Sequence, residues 1–379
     1  VRVALLGAGG TIAPAIARDL SESDEIESLA LFDLDGTRAR AVAEAHGGEG
    51  ALATAVDARD PAALALALDG IHLLVNAASF HVNLPAMDAC LIAGCGYIDL
   101  GGLYHGTTKQ LARSDEFAEK GLLAILGAGA GPGKTNVMAL AGARELDDVE
   151  VVRTSSSGRD LDPPAGFSTP YAVATLIDEL TVPPVVVRNG EPIELEPLAD
   201  GGTIPFPQPI GEASSIYTLH SEVRTLPDSL GARECDFRLS LSPAVLEGLL
   251  ALRDRPREEI AAMRPAPPSA KTYSAQHVEV RGTRNGASAS VTVTALTVPH
   301  EEWGLGGGIV STASVAAAAA RLYARGRIQK VGALPPESCI EPHDLFTEIA
   351  TRGCVVEIDR SEGAGGLAAH TETETEITR

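Results

Sequence analysis

The opening run Val3-Ala4-Leu5-Leu6 leads into Gly7-Ala8-Gly9-Gly10-Thr11-Ile12 and then into a helical pattern, a spacing suited to phosphate binding. In such a turn the first glycine makes a tight bend and the second lets backbone approach a pyrophosphate. The helix start supplies N–H donors and the positive end of its dipole. Ile12 holds the place of a third glycine, which loosens the contact between helix and strand there. A second strand pattern ends at Leu31-Phe32-Asp33, where an acid accepts ribose hydroxyls and repels a 2′-phosphate. Gly7, Gly9, Gly10, Thr11, Ile12 and Asp33 are thus expected to bind NAD, with Arg38 and Arg40 keeping NADP open. A strand-end cap is the other reading of Asp33.

Farther along, His220, Glu222 and Arg224 form the densest ionisable cluster of the second half. On a strand the three alternate onto one face, where they either converge on a ligand or form an ion-paired surface. Ala128-Gly129-Ala130-Gly131-Pro132-Gly133-Lys134-Thr135 has the outline of a P-loop. Pro132 removes one of the N–H donors such a loop needs, and no apolar strand ending in a metal-binding Asp follows. An NTPase is not expected, nor is a metal site, because Cys90, Cys95, Cys235, Cys339 and Cys354 show no metal-ligand spacing.

The elements that position these residues read as two domains, as 379 residues would suggest. Aromatics make up only 4% of the chain, so aliphatic side chains must fill its cores. A formal charge of −21 disfavours nucleic acid and anionic membranes. The scattered cysteines, the opening strand and the want of a long apolar run set the cytoplasm as the expected compartment.

Strand patterns at Val3–Leu6, Leu29–Phe32, Ala53–Val56, His72–Val75, Tyr97–Leu100 and Leu122–Leu126 alternate with helical ones, as in a parallel sheet. Past Val149 the runs come at hairpin spacing, with turn signals at Asn189-Gly190 and Asn285-Gly286. Val291, Val293 and Ala295 alternate with Thr292 and Thr294, as on a sheet with one covered face. An Ala-rich helix is expected from Ile309 to Ala324 and a short helix near Asp344–Thr351. The fold class is an α/β Rossmann-type dinucleotide-binding domain plus an inserted α+β substrate domain with a mainly antiparallel sheet. The expected boundaries are 1–135 and about 305–354 for the first, about 136–304 for the second, and a C-terminal strand and tail over 355–379. The site is expected in the cleft between the domains.

Val75-Asn76-Ala77-Ala78, Tyr97-Ile98-Asp99-Leu100-Gly101-Gly102, Gly129-Ala130-Gly131-Pro132-Gly133 with Asn136, Val187-Arg188-Asn189-Gly190 and Pro335-Pro336-Glu337 occur in that order. In these segments the chain resembles the saccharopine dehydrogenase-like family, nearest its lysine 6-dehydrogenase members, up to about Gly353. It departs from those members at Leu219–Leu226, and an Arg-Tyr-x-Gly-His stretch survives only as Arg238. Cofactor use therefore transfers better than substrate identity.

The resemblance implies hydride transfer between a nicotinamide and a carbon bearing an amine, in a homo-oligomer acting on a small amine or amino acid. An ammonium of pKa about 10.4 must lose a proton first, so a base is needed, and a cation to hold a carboxylate. Asp99, His220, Glu222 and Lys134 are the catalytic candidates, with solvent the commonest destination for a lysine such as Lys134. Arg153, Arg224, Arg238, Tyr104 and His105 are the substrate-binding candidates. Asp57, Asn76, Ala77, Ala78, Gly101, Gly131, Pro132 and Gly133 complete the dinucleotide set. The expected activity is oxidative deamination of a terminal amine, as of lysine, or the reverse imine reduction. A saccharopine- or carboxynorspermidine-type reductase joining an amine and a carbonyl compound is the second reading, and a non-catalytic dinucleotide sensor the third.

Overall fold

The computed structural model describes residues 1–263, 265–362 and 372–374. Of the expected C-terminal strand and tail over 355–379, residues 363–371 and 375–379 lie outside the described residues. Contacts divide the chain into a first unit, 1–134 with 312–348, and a second, 135–311 with 349–379.

In chain order the first unit opens with β1 (Arg2–Leu6), β2 (Ser28–Asp33), β3 (Leu52–Ala55), β4 (Leu73–Asn76), β5 (Gly96–Asp99) and β6 (Leu123–Ile125). The second holds β7 (Asp148–Asp160), β8 (Val185–Arg188), β9 (Glu191–Glu194), β10 (Asp200–Pro205), β11 (Glu212–Tyr217), β12 (Glu234–Ser240), β13 (Thr272–Arg284) and β14 (Ala287–Thr297). The chain then gives β15 (Gly332–Leu334) to the first unit, and β16 (Cys354–Glu362) and β17 (Glu372–Glu374) to the second.

The first sheet runs β15-β6-β5-β4-β1-β2-β3, all parallel. Its order reverses between β1 and β4, the switch point beyond whose carboxyl ends open α/β sheets bind ligands. This is the Rossmann arrangement expected, and each strand pattern read from the sequence falls on a strand to within a residue or so. The Ala-rich helix spans Gly307–Ala324, and Ala316–Ala320 are wholly buried. A helix apolar on every side is one enclosed by protein, and alanine lets its neighbours approach closely.

The second sheet runs β10-β11-β12-β7-β13-β14-β16-β17, with β8 on β12 and β9 on β8. Among the described strands of this sheet, only β7 and β12 pair in parallel. Asn189-Gly190 and Asn285-Gly286 join β8 to β9 and β13 to β14, with φ positive at all four residues. Such turns match the twist of the strands they join. Val291, Val293 and Ala295 face the covered side, as their alternation implies. No helix among the described residues is long and apolar enough to cross a membrane.

In the first unit Arg321, at the end of the Ala-rich helix, ties three helices together. Its Nη1 donates to Asp19 Oδ1 at 2.6 Å and its Nε to Glu348 Oε2 at 2.6 Å, and both Arg321 and Asp19 are buried. Removing one member of a buried ion pair strands the other's charge. Arg321→Met should therefore lose about 3 kcal/mol in urea unfolding, and adding Asp19→Asn should recover more than half of that. Equal stability of wild type and single variant would show that the pair does not hold these helices.

Candidate functional site

The Gly7 turn is shaped for a dinucleotide. Gly7 and Ala8 donate to the Phe32 carbonyl at 2.8 and 3.0 Å, clamping the turn to the end of β2. Gly7 stands at φ +76°, and a Cβ there would come within 2.6 Å of the Ala78 nitrogen. Ala77-Ala78 thus packs against the turn, and only glycine fits. The helix Ala13–Ser21 begins with no side-chain cap; Pro14 has no N–H and Ala15 N is bonded to the Ile12 carbonyl, so an anion here would be met by the N–H groups ahead of them.

At the ribose end, Asp33 already accepts from Gly9 N at 2.8 Å and from Asp35 N at 3.0 Å. Arg38 donates to the Gly9 carbonyl, which places a guanidinium against the glycine turn. Asp33 is therefore both a local brace and a ribose-end acid, whereas Arg40 is exposed. Asp57, after β3, is held in an exposed pair with Arg59, which lowers its carboxyl to about 2.

Asn76 and Asp99 turn inward. Asn76 donates to Asn83 at 2.9 Å and to Tyr97 Oη at 3.1 Å, and accepts from Ala78 N. Asp99 Oδ1 accepts from Gly101 N at 2.9 Å and Gly127 N at 2.8 Å, and its Oδ2 from Gln110 Nε2 at 2.5 Å. The carboxylate is fully buried, and burial pushes its pKa up against the hydrogen bonds that favour its charge. Such a group is a brace for backbone. Through Gly127 it fixes the loop holding Gly131, Pro132 and Gly133, which closes on itself by Gly129 N to Pro132 O at 2.8 Å and Lys134 N to Gly129 O at 2.8 Å. Lys134 is 0% exposed, so solvent, the expected place for it, is excluded by packing. Tyr104 and His105 form an edge-to-face pair after β5, with His105 exposed.

In the second unit His220–Arg224, which as a strand would set its three ionisable residues on one face, is instead the start of a helix, Glu222–Leu230. Helical geometry puts Arg224 about 200° around from Glu222, so the two part company. Glu222 is buried, while Arg224 pairs outward with Asp228 at 2.5 Å. His220 Nδ1 bonds Glu222 Oε2, and its ring lies flat on Phe237 of β12, 3.6 Å between centroids. Thr135 Oγ1 donates to Glu222 Oε1 at 2.7 Å; the residue in the P-loop's threonine position thus serves a carboxylate.

Sequence reasoning missed Tyr171 and Glu179. Tyr171 Oη donates to Glu179 Oε2 at 2.5 Å, and the buried Glu179 interacts with the charges of His220 and Glu222. The signal was an acid in the apolar helix Val173–Thr181, three residues after the buried Leu176 and so on its flank. Burial raises Glu179 to about 7, against the opposing pull of His220 and Tyr171. His220 is disfavoured as a cation by burial, but the charge and hydrogen bond of Glu222, with the charge of Glu179, raise its pKa overall.

Arg153 and Arg238 do not join this cluster. Strand alternation places Arg238 and Asp236 on the face of β12 opposite Phe237, with Arg153 beside Asp236 in register. There Asp236 is gripped by Arg188 at 2.9 Å and Arg238 at 2.8 Å, while Arg153 reaches Glu279 at 3.4 Å. The expected carboxylate clamp is an ion-pair lattice. Among the described residues no three His, Cys, Asp or Glu side chains group as metal ligands.

Residues 3–125 match the family model described as the saccharopine dehydrogenase NADP binding domain, so the first unit is a dinucleotide-binding domain of that kind. A carboxyaminopropylagmatine dehydrogenase of Synechocystis is 26% identical over 66% of this chain and 65% of its own length. A carboxynorspermidine synthase of Vibrio alginolyticus is 24% identical over 53% and 51%. The chain therefore spans between half and two thirds of these relatives. The fold is that of the saccharopine dehydrogenase (L-Glu forming) of Saccharomyces cerevisiae, with a TM-score of 0.71 at 13% identity over 95% of this chain and 99% of that one. A homospermidine synthase from Legionella pneumophila, solved with NAD, gives 0.71 at 14% identity over 93% and 89%. The likeness expected from the sequence holds for the wider family, while lysine 6-dehydrogenase is not among these relatives.

Two measurements test the site's electrostatics. Asp99→Asn should keep dinucleotide binding and lose less than about tenfold in turnover, whereas Asp99→Ala should cost about 3 kcal/mol or more by stranding its donors. A loss of about a thousandfold on Asp99→Asn would make Asp99 a catalytic base instead. Glu179 and His220 both bind protons more tightly folded than unfolded, so the stability they give is present at low pH and lost as pH rises. For Glu179 the loss spans from its ordinary value near 4.5 to about 7. Thermal unfolding of wild type should show that decline, and Glu179→Gln should flatten it.

Proposed function

We propose that this chain is an NAD(P)-dependent oxidoreductase of a carbon–nitrogen bond, joining an amine to a carbonyl compound reductively, or running that reaction backwards. The observation that carries this reading is the buried His220–Glu222 pair with Tyr171–Glu179 beside it. Two carboxyl groups around one imidazole tilt the cluster toward negative charge, which suits an amine substrate. The relatives' names, each of a carboxylated polyamine, favour a di- or polyamine.

The amine and the carbonyl compound lose water to give an imine. The imine nitrogen takes one proton and its carbon one hydride, leaving a secondary amine. The reduced nicotinamide supplies the hydride when bound. His220 is suited to hold the proton, because Glu222 stabilises its imidazolium in a buried setting. Gly7, Gly9 and Gly10 with the uncapped helix start would take the pyrophosphate, and Asp33 the ribose. Arg38 at Gly9 would give a 2′-phosphate a partner, so both dinucleotides are to be tried.

Oxidative deamination of lysine is the second reading, supported by the ribose-end acid Asp33, which favours NAD. A sensor without chemistry fits less well, since a buried acid–base cluster is costly to keep unless it is used.

The test follows absorbance at the reduced-nicotinamide band with the full chain. Diaminopropane, agmatine or lysine is offered with butanal or oxoglutarate, using NADPH or NADH. Oxidation that needs both partners, with a secondary amine found by mass spectrometry, supports the joining reaction. Reduction of NAD by lysine alone, with ammonia released, replaces it with deamination. Dinucleotide binding without turnover in either direction overturns both. His220→Gln should cut turnover by about 10²–10⁴ while leaving dinucleotide affinity unchanged.

A further inference from the structure

Thr135 stands where the threonine of a P-loop would hold a metal ion, yet its hydroxyl serves the protein. It opens the second unit, in the first turn of the helix Lys134–Ala143, and is 0% exposed. Its Oγ1 donates to Glu222 Oε1 at 2.7 Å. Next to it, Asn136 Nδ2 donates to Thr225 Oγ1 at 3.2 Å. Glu222 and Thr225 are three residues apart and share one face of the helix Glu222–Leu230. Two successive side chains of one helix thus staple the first turn of the other, and all four are buried.

The staple reaches the acid–base pair directly. Among the described residues the Glu222 carboxylate bonds two groups, Thr135 at Oε1 and His220 Nδ1 at Oε2. A carboxylate held at both oxygens has its last torsion fixed. The His220 ring is fixed as well, because it lies on Phe237 with only 7° between the planes. With Nδ1 turned to Glu222, Nε2 is the nitrogen left for a substrate, and it has no hydrogen-bond partner among the described residues.

We propose that Thr135 is the positioning residue of the His220–Glu222 pair: its hydroxyl sets the carboxylate so that Oε2 holds Nδ1, and Nε2 is thereby the atom that carries the proton. This deepens the function proposed above and rests on it for the proton's destination. In the joining direction Nε2–H gives its proton to the imine nitrogen as hydride reaches the imine carbon. The ring is left neutral and takes a proton back from water.

The hydroxyl also tunes the strength of the acid. A hydrogen bond to a carboxylate favours its charged form and spreads the charge. Glu222 therefore pulls on the imidazolium less than a bare carboxylate would. The other titratable groups facing the pair are Glu179 and Tyr171, of the helix Val173–Thr181 and the loop before it. Phe237 of β12 brings no charge, and Arg224 is turned away to Asp228. Exchanging the hydroxyl for a methyl group should make the pair hold its proton to higher pH and release it more slowly.

The test follows the His220 imidazole by NMR titration of the full chain, with His220→Gln identifying its signal. Thr135→Val should raise the midpoint by about one pH unit, and Thr135→Ser should restore it. Thr135→Cys, with a weaker donor, should shift it the same way by less, and gives the reading if valine prevents folding. Reductive joining uses the protonated ring, so turnover falls as pH rises through that midpoint, and this alkaline limb should move up with it. At the plateau kcat of Thr135→Val should fall about tenfold, with KM for the amine within about twofold, because Thr135 touches the pair and not the amine. A hydroxyl that only packs would lower the thermal midpoint and leave both pH curves in place.

A His220 midpoint unmoved or lowered in Thr135→Val, or a rise that Thr135→Ser does not reverse, would overturn the positioning role. Turnover of an amine–carbonyl pair alongside that result would leave the function standing without it. A reversible rise in a chain that turns over no such pair would keep Thr135 as the residue that sets the imidazole and end the function.

Discussion

One buried carboxylate sets the geometry of the carboxyl edge of the first sheet. Asp99 sits where β5 ends, out of reach of water, and a charge or even a lone pair left unmatched there would cost several kcal/mol. It is matched by the N–H groups of Gly101 and Gly127 and by the Gln110 amide. That requirement draws the turn after β5 and the glycine loop after β6 to one point. Asn76 does the same between β4 and β5, through Asn83 and Tyr97. The dinucleotide edge is thus shaped from beneath by polar side chains whose own atoms face inward.

The second unit divides its charges by face. Period-two alternation along β7, β12 and β13 sends Arg153, Asp236, Arg238 and Glu279 to one side, where they neutralise one another. It sends Thr154, Ser156, Phe237, Val278 and Gln276 to the other, beneath His220. Arginine near an amino-acid enzyme's site invites the role of carboxylate clamp. Here the pleat withdraws Arg153 and Arg238 to the far face, and Arg360, which shares the face of Val291, is spent on Glu145.

The helix Glu222–Leu230 shows how local conformation selects among neighbouring ionisable residues. As a strand, His220, Glu222 and Arg224 would stand together, and Arg224 would cancel Glu222. As a turn entering a helix, the segment buries Glu222 against His220 and Thr135 and turns Arg224 to Asp228. The Glu222 carboxylate is thereby left to face the imidazole instead of an arginine.

Much of the first unit was legible in the residues themselves. Parallel strands buried on both sides need unbroken apolar runs, and the Gly7 turn needs a residue without a side chain, so local chemistry alone announces both. The Asn-Gly pairs likewise announced two hairpins of the second unit, since φ is positive at both residues of each turn. What the sequence could not disclose was which polar groups face each other across long separations. Glu179 meets the charge of His220, Glu222 meets Thr135, and Lys134 is buried where a surface lysine would be expected. Backbone preference is a property of a few adjacent residues and can be read along the chain. Burial, and with it the protonation and partnership of an acid, depends on residues tens of positions away, and only the folded packing decides it.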